Sequence, residues 1–117
     1  MNIEELRNFC LSLKGAEESM PFDDKTLVFS VKRKMFCATD INTYEFVNLK
    51  CDPDKAIQLR EQYNEVIEGY YMNKKHWNSV KTKGEITDKQ FQEWIKDSYD
   101  LVVLALPKKI QKELNDE

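Results

Sequence analysis

Residues 26–49 read TLVFSVKRKMFCATDINTYEFVNL, and this stretch decides the fold. Leu27, Phe29 and Val31 alternate onto one face of a strand over 26–31, because successive side chains of an extended chain point to opposite sides. Residues 35–38 supply a second strand and residues 44–49 a third. The chain turns first at Lys32-Arg33-Lys34, a basic tip without glycine, and again at Asn42-Thr43. Consecutive strands joined by short turns make an antiparallel meander.

Helical signals flank the meander. Upstream, Asn2 and Glu5 have capping-box spacing. Ile3, Leu6, Cys10 and Leu13 recur at intervals of three and four, with Phe9 beside them and Gly15 as the stop. The exposed side carries Glu4, Arg7 and Lys14. Residues 16–24 read as a solvated acidic connector holding Glu17, Glu18, Asp23 and Asp24, without the spacing of a calcium loop. Downstream, Asp52-Pro53 starts a second helix, since proline at the first helical position sacrifices no bonded amide. Ala56, Leu59 and Tyr63 give it an apolar side. Residues 66–72 are extended, with Gly69 as a bulge, and residues 77–82 form a further strand. Thr87 and Gln90 box a third helix whose stripe is Phe91, Trp94, Ile95, Ser98, Leu101, Val102 and Ala105. Pro107 ends or kinks it, leaving residues 108–114 as an exposed basic tail. Strands grouped between helices predict an α+β fold. Its antiparallel β-sheet is covered by helices on one face, over one domain spanning 1–117.

Charge and composition exclude several classes. The chain has 117 residues, 41% hydrophobic and 33% charged, with a net charge of −3. That balance predicts no global attraction to nucleic acid, so anion binding needs a local patch. The N-terminus lacks an apolar signal region and no apolar run reaches membrane-spanning length, which predicts a cytoplasmic protein with no membrane partner. Cys10, Cys37 and Cys51 are odd in number and widely spaced, so they read as reduced thiols.

One window departs from this balance. Residues 69–83 read GYYMNKKHWNSVKTK, with Lys74, Lys75, Lys81 and Lys83 and no acid. Tyr70, Tyr71, His76 and Trp77 interleave with them. Lysines pair with phosphates and rings stack on bases, the combination used by nucleic-acid surfaces. The tip Lys32, Arg33 and Lys34 extends the patch if both lie on one side. Two plainer readings stand beside this: turn lysines protect strand edges, and Trp77 belongs to the core. Catalysis is weakly signalled. His76 is the sole histidine, there are three glycines, and no nucleophile elbow, phosphate loop or HExxH occurs. No catalytic residue, metal or cofactor is expected.

The pieces Met72-Asn73-Lys74-Lys75-His76-Trp77-Asn78-Ser79-Val80, Ser98-Tyr99-Asp100-Leu101-Val102 and Leu106-Pro107-Lys108-Lys109 resemble the MmcQ/YjbR-like family of small bacterial proteins. Phe9-Cys10, Gly15-Ala16-Glu17-Glu18 and Leu49-Lys50-Cys51-Asp52-Pro53 extend the match along nearly the whole chain. The resemblance implies a CyaY-like two-layer α/β sandwich with a pair of β wings, and DNA binding by fold analogy. It supplies no catalytic residues. The acids Glu4, Glu5, Glu17 and Glu18 do not form the ridge that frataxin-like folds use for iron. The same motif has structural uses: Asn73 holds a turn, and Trp77 with Tyr99 locks the sheet to the last helix. The expectation is a monomeric DNA-binding module. The alternative is a non-enzymatic domain that takes a protein or small-molecule partner in the same groove.

Overall fold

A computed structural model describes residues 1–69 and 72–117. The elements run α1 (Ile3–Ser12), β1 (Ala16–Ser19), β2 (Thr26–Val31), β3 (Lys34–Asp40), β4 (Phe46–Lys50), α2 (Pro53–Gln62), β5 (Val66–Glu68), β6 (Trp77–Lys81), α3 (Asp88–Leu104) and α4 (Lys108–Asn115). The six strands form one antiparallel sheet in the order β1-β2-β3-β4-β6-β5. The helices pack against one face, which makes this the expected α+β architecture.

Local chemistry fixes the helix starts. Asn2 and Glu5 complete the capping box of α1, and Thr87 and Gln90 that of α3. Asp52 accepts the N–H groups of Asp54 and Lys55 ahead of Pro53. Pro107 separates α3 from α4 as expected. The tail is more than an exposed extension, however: Leu114 is buried, and the Lys14 Nζ donates to the Asn115 carbonyl at 2.7 Å. A helix short of its own cap is held here by an apolar anchor.

The first acidic segment corrects the sequence reading. Ala16–Ser19 is an edge strand, with Ala16 opposite Val31 and Ser19 opposite Val28. Its acids hid it, because glutamate is depleted in strands. Glu18 lies on the helix side, where it takes two hydrogen bonds from Arg7 of α1 at 2.6 and 2.5 Å. Tyr44 also falls outside its predicted strand. Asp40 Oδ1 accepts from Asn42 and Thr43 at 2.8 and 3.1 Å, and Tyr44 adopts φ 44° before β4 begins.

The core lies between sheet and helices. Leu6 and Cys10 of α1, Phe29, Cys37, Val47 and Leu49 of the sheet, and Phe91, Ile95 and Val102 of α3 are all buried. Phe36 joins them through a bulge: Phe29 pairs with Cys37 and Ser30 with Met35, so Phe36 is the extra residue. Its ring meets Tyr99 edge-on at 5.4 Å. Tyr99 also donates to the Lys14 carbonyl at 2.5 Å. The partner of Tyr99 is thus Phe36 rather than Trp77, which the β6 alternation places on the opposite face of the sheet. Ala105, expected on the α3 stripe, is exposed just past the end of that helix.

Candidate nucleic-acid interface

Topology divides the basic window in two. Glu68 pairs with Asn78 and Val66 with Val80, so β5 runs toward the Trp77 end, and residues 72–76 form the tip that leads into β6 there. The cross-sheet row Phe29, Cys37, Leu49, Asn78, Glu68 shows that the β2–β3 tip projects from that same end. Only β4 separates β3 from β6, which places the facing strands of the two hairpins roughly 10 Å apart. Lys74, Lys75 and His76 therefore share an end with Lys32, Arg33 and Lys34. Lys81, paired with Phe46, and Lys83 lie at the other end, about 13 Å further along β6.

The first tip has an unusual backbone. Val31 pairs with Lys34, so Lys32 and Arg33 are the central residues of a two-residue turn, with φ 48° and 66°. Positive φ at both positions is the turn geometry that matches strand twist and that asparagine and glycine normally supply. Two long cationic side chains occupy it here. Lys32 is held by Glu117 at 2.8 Å, which raises its pKa through that hydrogen bond, while Arg33 and Lys34 are exposed.

The second tip is braced from below. Asn73 Oδ1 accepts the Lys75 N–H at 2.9 Å, the turn role expected for it. The Asn73 carbonyl accepts from His76 and Trp77 at 3.2 and 3.0 Å. Arg60 of α2 donates to the Lys74 carbonyl at 3.1 Å, and Lys74 Nζ stands 3.9 Å from Glu68. Lys75 is exposed. His76 is half-buried, and its carbonyl accepts the Cys51 N–H at 2.7 Å, which ties the tip to the end of β4. Trp77 is buried at 8% exposure. Gly69 passes so close that a Cβ there would lie 2.8 Å from the Trp77 Cβ. Close approach, rather than a bulge, is what glycine provides at that position. Trp77 is consequently a packed residue. Tyr70 and Tyr71, also named as stacking residues, lie outside the described residues. Lys50, directly across from Trp77 in the ladder, belongs to this end too, although the sequence reading passed over it.

The YjbR family model matches residues 11–101. The chain is a member of the YjbR family. Two Escherichia coli relatives bear this out over nearly full length. Uncharacterized protein YbdF of strain O157:H7 is 36% identical over 110 residues, covering 93% of this chain and 90% of its own. Uncharacterized protein YjbR of strain K12 is 32% identical over 113 residues, 96% of each chain. The crystal structure of the Deinococcus radiodurans protein DR2400, described as a DUF419 domain, superposes with a TM-score of 0.92 at 36% identity, over 97% of this chain and 88% of that one. A Pseudomonas syringae protein shares the fold at 22% identity, with a TM-score of 0.74 over 87% of this chain and 99% of that one. Among the described residues no helix is long and apolar enough to cross a membrane, and no group of three acids, cysteines or histidines is placed to hold a metal.

Proposed function

We propose that this YjbR-family protein binds nucleic acid, duplex DNA by preference, through the two hairpin tips at one end of its sheet. The observation that carries the reading is their shared end: Arg33 and Lys34 on one tip, Lys74 and Lys75 on the other, with Lys50 between. Two projecting basic tips contact phosphates from a sugar-phosphate backbone without reading bases, which makes the binding sequence-tolerant. The backbone at Lys32 and Arg33 supports this. Left-handed φ costs an ordinary residue roughly 1 kcal/mol, and such outliers gather where function needs them. Lys81 and Lys83 contribute nothing on this reading, because they sit at the far end. Trp77 acts by packing the second tip in place.

The test is a titration of duplex and single-stranded oligonucleotides at two low salt concentrations. Four phosphate contacts give a slope of log affinity against log salt of roughly −3 to −4 on duplex DNA. No binding to either oligonucleotide by folded protein would sink the proposal and shift the weight to a protein or small-molecule partner.

A further inference from the structure

On the helix side of the sheet, α2 rests on β5 and β6 while α3 rests on β2, β3 and β4. The gap between them is a cavity of about 270 Å³. Leu49, Val80, Leu59, Trp94 and Leu101 give it apolar walls. At its inner end Tyr63 meets Trp94 at 5.3 Å, and the Gln90 amide donates to the Tyr63 hydroxyl at 3.0 Å. At its mouth Lys55 of α2 and Asp97 of α3 form an ion pair at 3.1 Å. Leu104 stands on the rim with 71% of its surface exposed.

Asn78 lies on the floor of this cavity and is 2% exposed. Its Nδ2 donates to the Ala56 carbonyl at 3.3 Å, which fixes the amide. Its Oδ1 is the buried side-chain polar atom that has no hydrogen-bond partner among the described residues. Buried polar atoms are nearly always paired, and an orphan marks a place where a partner belongs. Asn78 sits inside the NKKHWNSV segment, yet it faces away from the basic tips and plays no part in the phosphate contacts.

We propose that this cavity binds a small neutral molecule of one or two fused rings carrying an N–H or O–H group, which donates to Asn78 Oδ1. The size follows from the volume, since an apolar cavity of roughly 150 Å³ holds a benzene ring. Neutrality follows from the apolar walls, where an unpaired charge is costly. Of the charged residues in the lining, Lys55 pairs with Asp97 and Asp100 with Lys96 at 2.5 Å, while Lys50 and Asp52 stand at its edge with opposite signs. The donor follows from the orphan oxygen. Lys50 and Cys51 also line this cavity, so it adjoins the end of the sheet that carries the tips, and its test uses no nucleic acid.

Indole and indene serve as the probe pair. They match in shape, but only indole has an N–H. Each is titrated into the full chain labelled with 15N and followed by amide resonances. Indole is expected to shift the Asn78 side-chain amide, the Trp94 ring N–H and the backbone of Leu101, with a Kd in the high-micromolar to millimolar range, as befits so small a ligand. Indene is expected to bind about tenfold more weakly, the usual consequence of leaving a buried acceptor unpaired. Asn78→Leu should remove the difference. Leu101→Phe, which narrows the cavity from its half-buried rim, should abolish both shifts while the remaining spectrum stays native. Equal affinities for the two probes in the wild type overturn the proposal whether or not either variant folds. So do shifts confined to the opposite face of the sheet, or no saturable shift for indole.

Discussion

The Ser98 hydroxyl donates to the Phe36 carbonyl at 2.5 Å. The same oxygen accepts the Lys50 N–H at 2.9 Å. The pairing of β3 with β4 ends at Cys37 opposite Leu49, and a serine on α3 bridges Phe36 and Lys50, the next residues along. One buried hydroxyl thereby joins the helix layer to two strands at the place where Phe36 enters the core. Ser98→Ala should leave a carbonyl and an amide unpaired and cost about 2–3 kcal/mol. At roughly 4 °C per kcal/mol, the melting temperature should fall by about 10 °C. A fall of only a degree or two would mean that water replaces the hydroxyl.

The turn at Lys32 and Arg33 should be held for something other than stability. Arg33→Gly relieves a left-handed φ of 66° at an exposed position. It should raise stability by about 0.5–1 kcal/mol in a denaturant titration. If Arg33 also contacts phosphate, the same variant should weaken DNA binding, so affinity and stability move in opposite directions. Both improving together would remove Arg33 from the interface.

Charge reversal should be asymmetric. Lys74→Glu with Lys75→Glu is expected to cut DNA affinity and flatten the salt slope by about 2. Lys81→Glu with Lys83→Glu, equal in charge but at the far end of β6, should leave the slope unchanged. Both variants should melt within a few degrees of the wild type, since exposed charges contribute little. Equal losses would indicate long-range attraction rather than contact.

Glu18 should report on acid stability. The hydrogen bond from Arg7 holds its carboxyl below the usual range. A carboxyl whose folded pKa is depressed stabilises the fold above its unfolded pKa of about 4.3, and that contribution vanishes as pH falls through the folded value. Glu18→Gln should therefore lower the melting temperature slightly at pH 7 and not at all at pH 2. The effect stays small because the pair is partly exposed and screened by water. A difference that persists undiminished at low pH would point to packing instead.

The thiols should be unreactive. Burial, with the neighbouring Cys10 thiol, pushes Cys37 well up, and burial likewise raises the half-buried Cys51. Less thiolate at a given pH means slower reaction. A thiol reagent at pH 7.5 should label Cys51 alone in the folded protein, more slowly than free cysteine, and reach Cys10 and Cys37 only on unfolding. Rapid labelling of Cys51 would show a more open cavity mouth.

Short-range chemistry was legible without the structure. Asn2 with Glu5, Asp52 with Pro53 and Thr87 with Gln90 each act within a few residues, and each starts its helix where the sequence places it. The alternation of Leu27 and Phe29 likewise named a strand. Pairing across the sheet was not legible, because it depends on which strand lies beside which. Ala16–Ser19 becomes a strand only because Val28–Val31 offers it an edge. Phe36 reaches the core only because the β2–β3 register slips by one residue there. In sequence, Lys74 and Lys83 belong to one acid-free window. In space, β6 carries them to opposite ends of the sheet, and Lys74 shares its end with Arg33 and Lys34 instead. Asn78 read as part of a basic motif, and only the packing of α2 and α3 on the sheet sets it in the lining of a cavity. The sequence determined what each segment prefers locally. The tertiary structure decided which charges and polar atoms meet, since those distances follow from strand order and helix packing, which no short stretch of chain contains.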